Sequence, residues 1–223
     1  MRRVVIAIDG PAGAGKSTIA RRIAAKLGFT YIDTGAMYRA VALWALREKL
    51  DPQDRHRMEQ LAVASAIAFE PGSARVLLNS ADVTEAIRAP EAANAASVVA
   101  TMPAVRRALV EKQRAIAEGA SVVMEGRDIG TVVFPNADVK IFLDASPEER
   151  VRRRVAESHG DASELAREIE QRDERDRGRA ESPLVQAPDA IYIDTTGMTL
   201  DQVEEAVLKV VRERITNGKD FHR

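Results

Sequence analysis

Apolar runs of strand length alternate with longer helical segments over most of the chain. Residues 4–9 form a short β-branched run, and residues 122–125 and Val139–Asp144 are apolar runs typical of buried parallel strands. Residues 31–33 and 190–194 are two further short strands in the pattern. Strands that alternate with helices predict an α/β fold whose parallel sheet is covered by helices on both faces.

The helical segments carry recognisable start and stop signals. Ser146, Pro147 and Glu149 combine a cap residue, a proline at the first helical position and a glutamate at the third. Asp161 stands in the cap position of the next helix, and Gly28 follows the first helix. The pattern predicts helices over residues 17–27, 36–50, 54–66, 103–118, 147–158, 161–177 and 199–216.

A different pattern begins after residue 66. Residues 67–69, 75–78 and 82–84 have the look of three short strands, and the turn-forming pair Asn79-Ser80 separates the second from the third. Short strands joined by tight turns pair with their neighbours in antiparallel fashion. This stretch therefore predicts a small antiparallel insertion in the α/β fold.

Composition narrows the functional classes. The chain has 223 residues, no cysteine and three scattered histidines, which excludes disulfide scaffolds, iron–sulfur clusters and cysteine nucleophiles and argues against a histidine metal site. A net charge of −1 argues against a sequence-independent nucleic-acid binder. No apolar run approaches the ~20 residues of a membrane span, and residues 4–8 are too short for a secretory signal. We expect a cytoplasmic protein that binds neither nucleic acid nor membrane, and nothing in the sequence requires more than a monomer.

The segment from Gly10 to Ser17 matches the phosphate-loop pattern G-x-x-x-x-G-K-[ST] at every fixed position. A β-branched strand precedes it and a helix follows, which is the context that such loops need. Glycines let backbone N–H groups turn inward around phosphate oxygens, and the helix start adds partial positive charge. Lys16 can then reach the β- and γ-phosphates of ATP, and the Ser17 hydroxyl can bind Mg²⁺. The alternative is a glycine-rich turn that holds no ligand.

Three charged segments accompany the loop. Residues 33–39 and 125–130 lie where predicted parallel strands end, which is the ligand-binding edge of an open α/β sheet, and residues 172–179 are rich in arginine. Arg39 and Arg127 would grip a second phosphate at that edge. Each feature also has a plainer interpretation: a solvated helix residue for Arg39, a salt bridge within a turn for Arg127, and a charged helix face for the third segment.

The sequence closely resembles the long form of the bacterial cytidylate kinases, which are P-loop nucleoside monophosphate kinases. The resemblance rests on IDGPAGAGKST, YIDTGAMYR, SVVATMPAVR, EGRDIGTVVFP, KIFLDAS and RDERDRGRAESPL, which stand in the family's order and cover nearly the whole chain. It implies transfer of the γ-phosphate of ATP to CMP or dCMP, which gives ADP and CDP or dCDP in pyrimidine nucleotide metabolism.

The resemblance also implies an architecture. The fold would be the three-layer α/β P-loop kinase fold with a five-stranded parallel sheet and a short helical lid at about residues 150–180. Residues 1–66 and 101–223 would form the kinase core. Residues 67–100 would form the small antiparallel insertion of the monophosphate-binding region.

Residue by residue, the resemblance assigns ATP to Gly10, Pro11, Ala12, Gly13, Ala14, Gly15, Lys16, Ser17 and Thr18. The catalytic residues would be Lys16, Arg39, Arg127 and Arg154. The lid arginines near residues 150–154, Arg154 among them, would approach the transferred phosphoryl group. Ser17 would bind Mg²⁺, with Asp33 acting through water as the less well-defined second ligand.

For the nucleotide acceptor, the resemblance assigns Thr34, Tyr38, Arg39, Ser97, Arg106, Arg127, Asp128, Arg172, Asp176 and Arg179. Within this set Arg39 and Arg127 would hold the acceptor phosphate, and Arg172 and Asp176 would contact the ribose. The cytosine would be faced by Ser97, Arg106, Asp128 and Arg179.

Three other functions stay open at this point. One is a kinase for a different small acceptor, such as another monophosphate or a hydroxylated metabolite. Another is a nucleotide-sensing regulator that binds ATP without turnover. The third is a nucleic-acid-processing ATPase, which the neutral charge and few aromatic residues disfavour.

Overall fold

The computed structural model describes residues 3–70, 72–158 and 160–216. By internal packing the chain divides into two compact units, one formed by the residues before Thr30 and after Ala120 and the other by Thr30–Ala120. In chain order the strands and α-helices are β1 (Val5–Asp9), α1 (Lys16–Leu27), β2 (Thr30–Asp33), α2 (Thr34–Arg47), α3 (Arg55–Ala64), β3 (Ile67–Phe69), β4 (Val76–Leu78), β5 (Ala81–Asp82), α4 (Pro90–Val99), α5 (Pro103–Ala117), β6 (Val122–Gly126), β7 (Val139–Asp144), α6 (Pro147–Ser158), α7 (Ala162–Arg177), β8 (Ile191–Asp194) and α8 (Leu200–Thr216).

The main sheet has five parallel strands in the order β2-β6-β1-β7-β8, which confirms the predicted α/β fold. Within the first unit, Asp9 at the end of β1 is the register partner of Gly126 in β6 and of Phe142 in β7. The segments that follow β1 and β6 therefore leave the sheet at the same edge. These segments are the glycine loop and the stretch that begins with Arg127.

The core of the first unit fixes the helix that follows the loop. α1 packs against β6 and α8. Its buried face contains Ile19 and Ile23, which are four residues apart and so lie on the same side of the helix. On its outer side, Arg22 and Lys26 both pair with the buried Glu204 of α8. The start of α1 is thus held by apolar packing and by ion pairs.

The second unit contains α2 to α5 and the three-stranded antiparallel sheet β3-β4-β5. This sheet confirms the predicted antiparallel element, but its third strand is Ala81–Asp82 and not residues 82–84. The strand ends at Asp82 because that carboxylate accepts hydrogen bonds from the backbone N–H and the hydroxyl of Thr84, which forms a local turn.

The rest of the segment predicted as an insertion is helical. A short 3₁₀ helix covers Ala86–Arg88, and α4 follows with Pro90 at its first position. Proline at that position and a run of alanines both favour a helix. The division of the chain at residues 67 and 100 stays a prediction.

Asp33 begins α2 earlier than the pattern indicated. Its carboxylate accepts a hydrogen bond from the N–H of Ala36 at 2.9 Å, so Asp33 is the cap and the helix starts at Thr34. None of the described helices combines the length and the apolar character needed to cross a bilayer.

Candidate active site

The loop between β1 and α1 depends on its glycines. Gly10, Gly13 and Gly15 all have positive φ, a backbone conformation that glycine adopts without strain. At Gly10 a Cβ atom would lie only 1.9 Å from the carbonyl oxygen of Leu143. Gly15 is the left-handed residue directly before α1, which begins at Lys16. The N-terminus of α1 therefore opens directly from the loop, as an anion-binding site requires.

Lys16 is buried in the first unit, with a relative exposure of 5%. Its Nζ donates a hydrogen bond to the carbonyl oxygen of Pro11 at 2.6 Å. Burial, together with the positive charges of Arg127 and Arg172, lowers its pKa to about 7, while Glu125 acts in the opposite direction. Lys16 thus lies near the guanidinium groups of Arg127 and Arg172, whose positive charges favour the arrival of an anion.

Asp9 joins the end of β1 to the segment that follows β6. Its buried carboxylate accepts hydrogen bonds from the N–H groups of Ile129 at 2.8 Å and Gly130 at 2.7 Å. Burial raises its pKa to about 6, the negative charge of Asp128 adds to that rise, and the two N–H donors oppose it. The sequence did not single out Asp9 as a site residue.

Gly130 lies where Asp9 meets this segment. A Cβ atom there would lie 3.1 Å from Cδ of Lys140 and 3.4 Å from the carboxylate of Asp9. A side chain would therefore crowd the contact that holds the segment in place. The small size of Gly130, the second glycine of the EGRDIG motif, thus has a structural explanation.

Arg127, Asp176 and Arg179 form a buried ion cluster between the segment after β6 and the end of α7. Nε of Arg127 donates to Asp176 at 2.8 Å, and Nη2 of Arg179 donates to the other oxygen of the same carboxylate. Burial alone would raise the pKa of Asp176, but the charges of Arg127, Arg179 and Arg172 hold it below its ordinary value. For Arg127, burial opposes the charged form, and the charge of Asp176 nevertheless keeps its pKa above the ordinary value.

Two further predicted residues lie within the same unit. Arg172 is close enough to both Lys16 and Asp176 for its charge to shift their pKa values. Asp128 is 5% exposed, and its carbonyl oxygen accepts hydrogen bonds from the N–H groups of Val132 and Val133 in a π-helical turn. The first unit therefore brings together Lys16 and the charged residues predicted at 127–128 and 172–179.

The arginines of α6 differ in where they point. Nη1 of Arg150 donates to the carbonyl oxygen of Ala12 at 3.1 Å, and Nη1 of Arg153 lies 3.6 Å from where a Cβ of Gly15 would stand. Arg154, the residue predicted to act on the phosphoryl group, is half exposed and pairs with Glu157 on its own helix. Its role stays a prediction. Of the lid arginines predicted near residues 150–154, Arg150 and Arg153 lie beside the loop.

Arg39 lies in the second unit and is held by its own helix start. Its Nη2 pairs with the carboxylate of Asp33 at 2.8 Å. A Cβ atom on Gly35 would lie 3.1 Å from the Arg39 guanidinium and 3.1 Å from Asp33, so a side chain at this position would crowd the ion pair. The DTGAMYR motif therefore holds a guanidinium in a defined position.

Tyr38 and Arg106, two more of the predicted residues, meet in the second unit. The guanidinium carbon of Arg106 lies 5.5 Å from the centroid of the Tyr38 ring, within cation–π distance. Nη1 of Arg106 also donates to the carbonyl oxygen of Ala100 at 3.2 Å. Thr34 is buried at the start of α2, and Ser97 is half-buried on α4.

Comparison with known proteins decides the family. The family model described as cytidylate kinase matches residues 6–213 of the chain. The cytidylate kinase of Solibacter usitatus (strain Ellin6076) is 62% identical over 99% of this chain and 97% of its own length. The cytidylate kinase of Pelotomaculum thermopropionicum is 52% identical over 96% of each chain. The chain belongs to the cytidylate kinase family.

Solved structures agree on the fold. An uncharacterized protein from Eubacterium ventriosum superposes with a TM-score of 0.57 at 14% identity, over 95% of this chain and 99% of its own. A gluconokinase from Sinorhizobium meliloti 1021 does so with a TM-score of 0.50 at 15% identity, over 99% of this chain and 100% of its own. At such identities the likeness concerns the fold alone, and it confirms the predicted P-loop kinase fold.

Membership of the cytidylate kinase family confirms the resemblance on which the site residues were assigned, but not the residues themselves. Those assignments therefore stay predictions. The structure supports them unevenly. Arg127 and Arg172 act on both Lys16 and Asp176, and Arg179 pairs with Asp176. Arg154, in contrast, is half exposed.

Proposed function

We propose that this chain transfers the γ-phosphate of ATP to CMP or dCMP beside Lys16 and the arginines around it. As a member of the cytidylate kinase family it is an ATP-dependent phosphotransferase, and its products are ADP and CDP or dCDP. The observation that most supports the location is the burial of Lys16 among Arg127 and Arg172, which lowers its pKa to about 7. Buried positive charge next to a glycine loop suits the binding of phosphate groups.

The donor half of this proposal rests on the loop. The residues from Gly10 to Thr18 would surround the triphosphate of ATP, with backbone N–H groups and the N-terminus of α1 directed at its oxygens. Lys16 would leave the carbonyl oxygen of Pro11 and bind the β- and γ-phosphates. The N-terminus of α1 and the ammonium group of Lys16 would thus place positive charge where the transferred group becomes more negative.

The acceptor half rests on guanidinium groups. An oxygen of the CMP phosphate attacks the γ-phosphorus, the bond from that phosphorus to the β–γ bridging oxygen breaks, and ADP leaves with the bonding electrons. The attacking oxygen is already ionised at pH 7, so no strong general base is needed. The main requirement is to bring two polyanions into line, and Arg127, with Arg39 as its predicted counterpart, would supply the neutralising charge.

Recognition of the base is assigned to Asp128. Cytosine has an exocyclic amine that can donate a hydrogen bond to a carboxylate, whereas uracil has a carbonyl oxygen at that position. Uracil would leave the buried carboxylate facing an acceptor, and the loss of a hydrogen bond to a charged group costs about 1.5–3 kcal/mol. Ser97, Arg106 and Arg179 are the further predicted contacts to cytosine, and Arg172 and Asp176 those to ribose.

The residues present fit Mg²⁺ in its usual mode. Proteins hold Mg²⁺ through one or two oxygen ligands and the phosphates of the substrate. Ser17 is exposed on the first turn of α1, and within the described part of the chain no group of three or more histidine, cysteine or acidic side chains could hold a metal by itself. Ser17 would hold the ion, and bound Mg²⁺ would offset charge on the β- and γ-phosphates.

Asp33 is the weaker metal ligand of the two predicted residues. One of its carboxylate oxygens accepts the N–H of Ala36, and the other pairs with Arg39. Both oxygens therefore already serve the start of α2. We still predict that the enzyme is cytoplasmic and monomeric and that it binds neither nucleic acid nor membrane.

An acceptor panel tests the proposed function. Purified protein is given ATP, Mg²⁺ and equal concentrations of CMP, dCMP, UMP, AMP or GMP, and the initial rate of ADP formation is measured. We expect CMP or dCMP to give the highest rate, with UMP well below. A rate with UMP equal to or above that with CMP would refute the assignment of the base.

The same assay separates the other functions. A regulator without turnover would form no ADP when CMP is present. A nucleic-acid-processing ATPase would form ADP faster when RNA or DNA is added. A kinase for another small acceptor would give its highest rate with a different member of a wider panel.

A further inference from the structure

Arg150 and Asp173 hold both polar backbone groups of Ala12, inside the phosphate loop. Nη1 of Arg150 donates to the carbonyl oxygen of Ala12 at 3.1 Å, and the N–H of Ala12 donates to Oδ1 of Asp173 at 3.3 Å. Nη1 of Arg150 also pairs with the other oxygen of Asp173. The three residues thus form a closed ring of hydrogen bonds between the loop, α6 and α7.

This ring is buried. The side chains of Arg150 and Asp173 are 7% and 3% exposed. A Cβ atom on Gly13 would lie 3.0 Å from Cβ of Arg150 and 3.2 Å from its carbonyl oxygen, so the loop also packs directly on the backbone of α6. A buried ion pair contributes little to stability compared with an apolar pair of similar size. In this protein the pair joins the loop to both α6 and α7.

Asp173 lies on α7 beside residues that are predicted to contact the acceptor. Arg172 and Asp176 belong to the same helix, and the charge of Arg172 acts on Lys16. If α7 shifted relative to the loop, the acceptor-side residues would move relative to Lys16. A displacement of about 1 Å in such a site is enough to cost about 100-fold in rate.

We propose that Arg150 and Asp173 are positioning residues for phosphoryl transfer, which act through the backbone of Ala12 to hold the phosphate loop in register with α7. This inference rests on the proposed function, because it takes the residues of α7 to face the acceptor. It assigns no contact between either residue and the nucleotides.

A second role for Asp173 would give the opposite result. The Asp173 carboxylate accepts a hydrogen bond from an N–H group of a loop that is proposed to bind phosphate. In this second role a phosphate oxygen of ATP would have to displace the carboxylate from that N–H group, so the two anions would compete. The ring argues against this, because Asp173 is held by Arg150 as well as by Ala12. Competition would make ATP bind more tightly when the carboxylate is removed.

The decisive variant replaces the pair by apolar residues, Arg150→Met with Asp173→Val. Such a replacement of a buried ion pair is often neutral or stabilising, but it leaves both backbone groups of Ala12 without these partners. The single variants Asp173→Ala and Asp173→Asn are measured beside it, and asparagine keeps an oxygen that accepts the N–H of Ala12. The matched controls are Arg167→Met and Glu174→Gln, which alter exposed side chains of α7 that have no assigned role at the site.

We expect kcat at saturating ATP and CMP to fall about 100-fold in Asp173→Ala and in the double variant. Asp173→Asn should lie between Asp173→Ala and the unchanged enzyme, and the controls should stay within about twofold. Each rate is divided by the concentration of folded enzyme, which is determined by circular dichroism at the assay temperature. A purely structural role predicts that the double variant recovers full kcat once its thermal stability is recovered.

Each result of these measurements either supports or overturns the proposal. An unchanged kcat in the folded double variant, or a KM for ATP below that of the unchanged enzyme in Asp173→Ala, overturns the proposal. If the double variant does not fold, amide hydrogen exchange in the unchanged protein decides, because the Ala12 N–H must be protected when no nucleotide is bound. An unprotected Ala12 amide also overturns the proposal. Failure of the unchanged enzyme to phosphorylate CMP would instead refute the proposed function.

Discussion

The ammonium group of Lys16 donates a hydrogen bond to the carbonyl oxygen of Pro11, 2.6 Å away, so the lysine folds back over the loop that contains it. This contact satisfies a buried donor that would otherwise lack a partner in the absence of nucleotide. Binding of ATP would exchange the carbonyl oxygen for phosphate oxygens, which are stronger acceptors because they are charged.

Lys16→Ala should therefore nearly abolish turnover while the fold remains. Loss of a preorganised charged donor at a reacting group costs about 10²–10³-fold in kcat. The rate of ADP formation with CMP measures the loss, and circular dichroism checks the fold. Lys209→Ala, an exposed lysine on α8, is the matched control. If Lys16→Ala kept most of the activity, the phosphate loop would not be the donor site.

Binding of ATP should take up protons above neutral pH. Burial, Arg127 and Arg172 lower the pKa of Lys16 to about 7, so at pH 8 most of the free protein has a neutral lysine. The triphosphate favours the charged form and raises that pKa, so the lysine gains a proton on binding.

Calorimetry at pH 8 in two buffers of different ionisation enthalpy measures this uptake. We expect a value approaching one proton for the unchanged protein and about zero for Lys16→Met. At pH 6 the uptake that depends on Lys16 should be small, because the lysine is already charged. Equal uptake by both proteins at pH 8 would show that Lys16 is already charged before ATP binds.

Asp9 should make stability depend on pH in an acidic window. Its pKa is about 6 in the folded protein and 3.8 in the unfolded chain, so the folded state holds more protons between these values. Its contribution to the free energy of unfolding is therefore fully present below about pH 4 and is lost as the pH rises to about 6. The loss is at most about 3 kcal/mol, because each tenfold change in proton affinity corresponds to about 1.36 kcal/mol.

Urea unfolding of the unchanged protein and of Asp9→Asn between pH 4 and pH 6 measures this effect. Asparagine does not titrate, so the free energy of unfolding of the unchanged protein should decline relative to the variant as pH rises. Lys16 stays charged through this window, because its pKa is about 7. A difference that is flat, or that grows with pH in favour of the unchanged protein, would contradict the raised pKa of Asp9.

Asp128→Asn should weaken the preference for CMP over UMP. The amide nitrogen donates a hydrogen bond, which suits the carbonyl oxygen of uracil better than the amine of cytosine. A single hydrogen bond to a charged group is worth about 1.5–3 kcal/mol, which corresponds to a change of about 10-fold or more in the ratio of kcat/KM values.

The KM for ATP should change much less than that ratio in Asp128→Asn. The matched control is Asp51→Asn, which alters an exposed carboxylate in a turn. An unchanged CMP-to-UMP ratio in the Asp128 variant would remove this residue from recognition of the base.

Local signals in the sequence were sufficient for most of the secondary structure. Asp161 was predicted as a helix cap, and its carboxylate accepts hydrogen bonds from the N–H groups of Ser163 and Glu164 at the start of α7. The glycine loop was predicted from its spacing, and Gly10 and Gly15, the two fixed glycines of the pattern, both have positive φ. Such features are decided within a few residues, so the chain carries them in its local pattern.

The sequence could not decide which charged side chains are buried, or with which partner. Arg150 and Arg154 are four residues apart on one helix and have the same chemistry, yet Arg150 is buried against the loop and Arg154 faces solvent beside Glu157. Asp9 looked like the end of a strand, and only its two long-range hydrogen bonds show that it holds the segment after β6.

By itself, then, the sequence determined the phosphate loop, the alternation of strands and helices, and the family, because each depends on residue types at fixed short spacings. The tertiary structure decided that Arg127 meets Asp176, 49 residues further along the chain, and that Arg150 and Asp173 enclose Ala12. Desolvation and charge neighbours set those pairings and the pKa values of Lys16 and Asp9, and both depend on how distant segments pack.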